Sequence, residues 1–317
     1  MYVIYSPDHQ VHNPSHELYD GRAEPYAERP ERAESIIAAL RRSGKHHIAR
    51  PRRFPLLHIY RVHQRQYVAC LRKRTAALPT GTTLHPSYFL MDTYTPLTPG
   101  TFTAARTAVD VALTGAQYIT GRSKAIAYSL CRPPGHHAEH AAMGGYCYFN
   151  NAAIAAEFLA VQGKVAILDI DFHHGNGTQH AFYGRSDVLY VSLHADPVVR
   201  FPYSSGFADE QGNGAGLGYN HNYPLPLGTG DDAYMRALGG ALAAIESFQP
   251  AYLVVSAGFD GYKHDPIGGF ALTIPGYHAI GKRIAALQLP TLLIQEGGYH
   301  IADLGALAGS FLDGFTA

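Results

Sequence analysis

The stretch Val165-Ala166-Ile167-Leu168-Asp169-Ile170-Asp171-Phe172-His173-His174-Gly175-Asn176-Gly177 decides the fold. Its first half is a near-continuous apolar run. That is the pattern of a strand buried on both faces, as in a parallel sheet covered by helices, not the alternation of a half-exposed strand. Its second half turns abruptly to carboxylates, imidazoles and glycine. In open parallel sheets, ligands bind beyond the carboxyl ends of the strands. The stretch therefore predicts a central strand that delivers a chemical site.

Similar runs lie on either side of it: Val3-Ile4-Tyr5, Ala125 to Leu130, Val188 to Leu193, Tyr252 to Ser256 and Thr291 to Ile294. Between them the apolar spacing becomes helical at Pro30 to Leu40, Phe102 to Ile119, Asn151 to Gln162, Asp231 to Phe248 and Pro275 to Leu287. Alternating strands and helices predict one α/β domain over residues 1–317, with a parallel sheet. No linker or internal repeat divides the chain. The Pro/Gly-rich stretches Leu78 to Gly100 and Phe201 to Gly230 read as long loops, which in compact domains are usually functional or mobile.

Composition narrows the class. The 317 residues are 46% hydrophobic, which is enough for a large core and excludes a disordered chain. With 25 basic and 25 acidic residues the net charge is +0, so the bulk positive charge of a nucleic-acid binder is absent. No apolar run reaches the ~18 residues of a membrane span. Met1 to Pro7 shows no basic segment leading into an apolar one, so no secretory signal is expected. The three cysteines, Cys70, Cys131 and Cys147, fit reduced thiols. A cytoplasmic protein with neither membrane nor nucleic acid as partner is the expectation. Histidine is the outlier, at 19 residues. It is the side chain that titrates near neutral pH and binds metals.

Unusual residues follow five of the strands. Arg132-Pro133-Pro134-Gly135-His136-His137 comes after the second run, and Asp171, His173 and His174 after the central one. His194-Ala195-Asp196 follows Leu193, Gly258-Phe259-Asp260 and then Asp265 follow Ser256, and Glu296-Gly297-Gly298-Tyr299 follows Ile294. In extended chain, residues i and i+2 face one side, so Asp171 and His173 present an oxygen and a nitrogen to one point. Asp260 can join them from another strand end. Two oxygens and one nitrogen suit a catalytic divalent metal such as Zn²⁺. The rigid approach through Pro133-Pro134-Gly135 suits His136 and His137 to positioned acid and base roles. The phenol of Tyr299 is a suitable donor to a developing oxyanion. His174, His194 and Asp265 read as supports, and His46-His47 as a polar loop.

Taken together, these motifs and Gly144-Gly145-Tyr146-Cys147-Tyr148 resemble the histone deacetylase superfamily, most of all its bacterial acetylpolyamine amidohydrolase branch. The resemblance runs from about Tyr5 to the C-terminus, in the family's order, and gives the chain the look of a bare catalytic domain. It implies an arginase/deacetylase fold around a mainly parallel eight-stranded sheet. It implies Zn²⁺ held by Asp171, His173 and Asp260, with Fe²⁺ as an alternative metal. His137 corresponds to the general base, His136 to its electrostatic or acid partner, and Tyr299 to the residue that polarises the acetyl carbonyl. Asp169 matches the partner of His136, and Asn176 that of His137. Gly145, Tyr146, Phe201 and Ile267 match the walls of a narrow tunnel. A structural K⁺ is implied near Asp169, Asp171, His173, Ser192 and Leu193, and a second one near Phe182, Arg185 and Val188.

The implied activity is hydrolysis of an N-acetyl amide by metal-activated water, releasing acetate. The substrate implied is a small acetylated amine, an acetylpolyamine foremost, with acetyl-lysine or a broader N-acyl amine as the alternative. Glu17 matches a carboxylate at the tunnel mouth, and Asp92 a rim aspartate that holds substrate backbone. The Leu78–Gly100 segment is shorter than the loop that forms the family's homodimer, and Tyr94 falls where those enzymes carry an acidic residue. Both weaken the expectation of that dimer and of strict polyamine specificity. Because Asn176 is neutral and Asp169 is not, His136 should hold its proton more tightly than His137. An arginase-like enzyme would need two metals and more Asp ligands, and a binding module would have lost a ligand or Tyr299.

Overall fold

A computed structural model describes residues 1–316. The strands in chain order are β1 (Tyr2–Ile4), β2 (His16–Tyr19), β3 (Arg22–Pro25), β4 (His47–Ala49), β5 (Ile126–Ser129), β6 (Val165–Asp169), β7 (Val188–Ala195), β8 (Asn220–Leu225), β9 (Tyr252–Ala257) and β10 (Thr291–Gln295). The α-helices are α1 (Glu31–Ser43), α2 (Arg65–Ala76), α3 (Thr101–Ile119), α4 (Asn151–Ala160), α5 (Asn176–Phe182), α6 (Asp231–Phe248), α7 (Ile274–Ala285) and α8 (Ile301–Gly314). Eight strands form one sheet in the order β4-β1-β5-β10-β9-β6-β7-β8, and every pair in it is parallel. The hairpin β2-β3 stands apart from it.

The apolar runs are continuous because both faces of the sheet are covered. Ala166 and Leu168 pack with α1, α6, α7 and α8, whereas Val165 and Ile167 pack with α2, α3 and α4. Removing a large aliphatic side chain from either layer costs about 2–5 kcal/mol, and the few polar residues buried in the strands, such as Ser192 and His194, have hydrogen-bond partners. Local signals set the helix ends. Asn150 accepts from the Ala153 amide at 2.9 Å to start α4, and Thr273 accepts from Gly276 at 3.0 Å, beside Pro275, to start α7. α1 begins with Glu31 and Glu34 and ends with Arg41, Arg42 and the left-handed Gly44, in keeping with the helix dipole and the glycine stop.

Several expectations need correction. The stretch Phe201–Gly230 contains the edge strand β8, hidden by its polar sequence and by Pro224, which is tolerated only at an edge. β7 runs on to Ala195, so His194 lies within the strand and not after it. Leu78–Gly100 is tied down by bridges Leu84–Leu97 and Leu90–Met143. His47 opens the other edge strand, β4, instead of lying in a loop. The hairpin β2-β3 and helices α2, α5 and α8 have no counterpart in the sequence reading.

Candidate active site

The carboxyl ends of β5, β6, β9 and β10 converge. Asp169 is the last residue of β6, and the chain then bends through Asp171 and His173. Asp260 follows β9, and its Oδ1 accepts from the Phe172 amide at 2.9 Å while its Oδ2 lies 3.0 Å from His173 Nδ1. Asp171 Oδ1 accepts from the His173 amide at 2.9 Å and Oδ2 from Gly297 at 2.8 Å. Ligand atoms of Asp171, His173 and Asp260 lie within 4.8 Å of one another and are buried.

The charges there are unbalanced in a way that a cation would balance. Burial, with Asp171 as a like charge, pushes the Asp260 carboxyl up, so that part of its tendency to ionise is lost. Burial alone would lower the His173 pKa, but hydrogen bonds and charge from both aspartates outweigh it and push the imidazole up to about 9. His173 thus lies between two carboxylates at a point where positive charge is favoured. The donor set of two carboxylates and one imidazole fits a divalent metal ion.

His136 and His137 stand beside this cluster, with ring centroids 4.0 Å apart. His136 Nδ1 lies 3.0 Å from Asp169 Oδ2, and its Nε2 is 3.7 Å from Asp171 Oδ1. Burial opposes its charge, yet Asp171 and Asp169 push its pKa up to about 10. His137 Nδ1 lies 2.8 Å from the amide oxygen of Asn176. Burial and then the neighbouring His136 and His173 hold its pKa well below the ordinary value. The two histidines therefore differ in the expected direction.

Both are held from behind. Glu296 Oε2 accepts from the amides of Gly135 at 2.7 Å and His136 at 3.2 Å, which fixes the turn after Pro134. Gly145, at φ +54°, leaves room for the His137 ring, because a Cβ there would overlap it. Gly297 likewise sits against the carboxylates of Asp260 and Asp171, where a side chain would intrude.

Tyr299 is carried by a turn that is gripped on two sides. Asp265 Oδ2 accepts from its amide at 2.6 Å and from His300 at 3.1 Å. On the other side the Arg32 guanidinium donates to the carbonyls of Gly298 at 2.5 Å and Glu296 at 2.7 Å, and lies 4.6 Å from the centre of the Tyr299 ring. Arg32 is itself paired with buried Glu28 at 2.6 Å, which also accepts from Arg132 Nε at 2.9 Å. Sequence reasoning missed Arg32 and Glu28. The signal was a charged residue on the apolar stripe of α1, four residues before Ile36 and after Glu28.

A cavity of about 490 Å³ opens over these groups, and His137, His173 and Tyr299 line it. Gly145, Tyr146, Phe201 and Ile267 are in its walls, as expected. The Phe201 ring stands 4.8 Å from that of His137, edge to face, and Tyr146 lies 5.6 Å from Tyr299. Glu17, at the mouth on β2, is buried. It accepts from the Ala27 amide at 3.1 Å and from the Tyr146 hydroxyl at 3.1 Å. Asp92 does not reach the cavity wall. Its oxygens are taken by the amides of Gly145 at 2.5 Å and Tyr94 at 3.0 Å, so it supports the Gly145 turn instead of forming the rim.

The other expected residues lie outside the lining of this cavity. His174 and His194 pack ring to ring at 4.6 Å, with His194 bonded to Ser192 at 2.7 Å. Ser192 and Leu193 lie on β7 beside Asp169 on β6. In the second potassium group, the Phe182 carbonyl accepts from the Arg185 amide at 2.9 Å and the Arg185 guanidinium lies 5.2 Å over the Phe182 ring, just before Val188 opens β7.

Comparisons with known proteins agree with this geometry. Residues 26–315 match the histone deacetylase domain. The chain is 41% identical to acetylpolyamine amidohydrolase 1 of Pseudomonas aeruginosa, with 99% of each chain covered, and 40% identical to acetylpolyamine amidohydrolase of Mycoplana ramosa, again over 99% of each. The crystal structure of acetylpolyamine aminohydrolase from Burkholderia pseudomallei superimposes with a TM-score of 0.94 at 40% identity, covering 100% of this chain and 99% of that one. The fold is thus the arginase/deacetylase α/β fold, and the chain belongs to the histone deacetylase family.

Proposed function

We propose that the protein is a zinc-dependent deacetylase that hydrolyses the N-acetyl amide of an acetylpolyamine, releasing acetate and the free amine. The observation that carries this reading is the meeting, at one cavity floor, of the Asp171-His173-Asp260 cluster, the pair His136 and His137 with its unlike partners Asp169 and Asn176, and the phenol of Tyr299. The names of similar proteins support the substrate class. Asp171, His173 and Asp260 would hold Zn²⁺ or Fe²⁺, which when bound lowers the pKa of a water molecule and polarises a carbonyl.

The chain's own residues do the rest. An amide oxygen accepts only, so the 2.8 Å contact with Asn176 keeps a proton on His137 Nδ1 and leaves Nε2 free to take one from the attacking water. His136, charged between Asp169 and Asp171, supplies positive charge and a proton source for the departing amine. The Tyr299 hydroxyl donates to the oxygen on which negative charge develops, a contribution worth about 2.7–4 kcal/mol for a single well-placed donor. The aromatic walls exclude water and pass a slender acyl chain. A structural K⁺ near Asp169 belongs to the same reading.

One observation favours a broader N-acyl amine or acetyl-lysine substrate. The mouth carries Tyr19, Tyr94 and Tyr203 and the cation Arg200 alongside Glu17 and Asp20, so it is aromatic and mixed in charge more than acidic. Turnover on acetylputrescine, acetylspermidine and an acetyl-lysine peptide decides. The polyamine reading expects the highest kcat/KM on one of the first two, and a higher value on the peptide overturns it. Failure on all three with one metal ion per chain overturns the deacetylase reading.

A further inference from the structure

The proposed base, His137, works only if its proton sits on Nδ1. Asn176 enforces that only while its carbonyl, not its NH₂, faces the ring. An amide can turn over, and the two orientations differ little in shape. Something must therefore fix Asn176, and the structure offers a candidate on its far side. Asn176 Nδ2 donates to Glu139 Oε1 at 2.9 Å. Its other neighbours are the His137 carbonyl at 3.3 Å and Met91 Sδ at 3.5 Å, both weaker acceptors at those distances.

Glu139 is not on the cavity that holds the reacting groups. It lines a second cavity, of about 590 Å³, on the opposite side of Asn176, where His180 Nδ1 lies 3.4 Å from its other carboxylate oxygen. Its backbone is held hard. Its amide donates to the Ala142 carbonyl at 2.9 Å, and its carbonyl lies 2.8 Å from His63 Nδ1. His63 Nε2 accepts from the Asn150 amide at 2.8 Å, so the proton of His63 must be on Nδ1 and the bond to Glu139 is a donated one.

We propose that Glu139 is a positioning residue, which acts through Asn176 to decide which nitrogen of His137 carries the proton. The inference rests on the reading of His137 as the base. A carboxylate accepts and cannot donate, so it holds the NH₂ of Asn176 and leaves the carbonyl for His137. A residue that only donates would hold the carbonyl instead, present the NH₂ to Nδ1 and put the imidazole proton on Nε2, where it blocks proton transfer.

The test replaces Glu139 in the metal-loaded enzyme. Glu139→Gln can still offer an oxygen and should keep kcat within about threefold, whereas Glu139→Lys can only donate and should lower kcat by about tenfold or more at nearly constant KM. The same proteins with ¹⁵N-labelled histidine report the tautomer directly. The His137 signal, assigned with His137→Ala, should show Nδ1–H in the parent and Gln forms and Nε2–H in the Lys form. Replacing Asn176 by Asp removes the donor face, so in that background Lys at 139 should no longer be harmful and should exceed Glu, which would face a second carboxylate. An unchanged tautomer in a folded Glu139→Lys protein overturns the proposal. So does a Lys penalty that persists in the Asn176→Asp background. If His137→Ala stays active, the base reading falls, while the tautomer result still judges Glu139.

Discussion

The floor of the cavity and its mouth are built on different terms. At the floor every functional side chain comes from a strand end or the segment that follows it, and the carboxylates are tied to backbone amides while the histidines are held by Asp169, Asn176 and Asp260. Asp171 and Asp260 are each anchored through an amide of another segment, and Tyr299 hangs from a turn gripped by Arg32 and Asp265. The mouth is made of loops and a separate hairpin. Tyr19 and Tyr203 are more than half exposed, and Glu17 is the only mouth carboxylate here that combines burial with defined partners. The comparison teaches that the chemistry is set by the fold and the choice of amine by what is laid over it. Substitutions at the floor should therefore strike turnover, and those at the mouth should strike KM.

The largest effect falls on the metal cluster. Asp260→Asn removes one charge from the Asp171-His173-Asp260 set while keeping its shape. Bound metal should fall well below one ion per chain, and kcat/KM should drop by about a thousandfold or more, since the activated water goes with the metal. Stripping metal from the parent enzyme with a chelator should abolish activity, and Zn²⁺ should restore it. Full activity in metal-free protein would break the account of the floor.

A smaller effect tests the grip on Tyr299. Loss of its hydroxyl in Tyr299→Phe should lower kcat by about a hundredfold, as for other single oxyanion donors. Asp265→Asn loosens the turn without touching the hydroxyl and should cost about tenfold in kcat, with KM nearly unchanged. The two should not add. In the Tyr299→Phe background Asp265→Asn should cost little more, because both act on one hydrogen bond. Additive losses would show that Asp265 matters for some other reason, such as the Ile267 and Gly268 amides it also accepts.

This division also explains what the sequence made legible. The apolar runs exposed β5, β6, β7, β9 and β10 because a strand buried on both faces is mostly apolar, and the residues that break such a run at its carboxyl end were then conspicuous. Asp171, His173, Asp260, His136, His137 and Tyr299 are all of that kind. Arg32 and Glu28 were not, because apart from each other their partners lie more than 100 residues away in Arg132, Glu296 and Gly298, and only folding brings them together. β8 was lost to its polar side chains. The role of Asp92 could not be read either. A carboxylate near a mouth and a carboxylate under a turn look alike until the Gly145 amide is seen to point at one of them.

The smallest effect is at the mouth, and its sign follows from Glu17. Burial pushes the Glu17 carboxyl up to about 7, against the bonds from Ala27 and Tyr146 that favour its charged form. Below that pH it is neutral and offers a polyamine no charge. Above it the carboxylate attracts the distal ammonium group. KM for acetylspermidine should therefore fall as pH rises through 7. The change should be about two- to fivefold, as expected for one partly screened ion pair. A substrate without a second amine should show no such fall. Glu17→Gln should flatten the acetylspermidine profile at its low-pH value and leave kcat for the uncharged substrate near that of the parent. Linkage demands the converse as well: bound polyamine should lower the pKa of Glu17. If the fall in KM persists in Glu17→Gln, the titrating group lies on the floor and the separation between floor and mouth fails. If the fall is absent from the parent enzyme, the ammonium is held elsewhere, and the aromatic ring of Tyr94 or Tyr203 becomes the group that selects the amine.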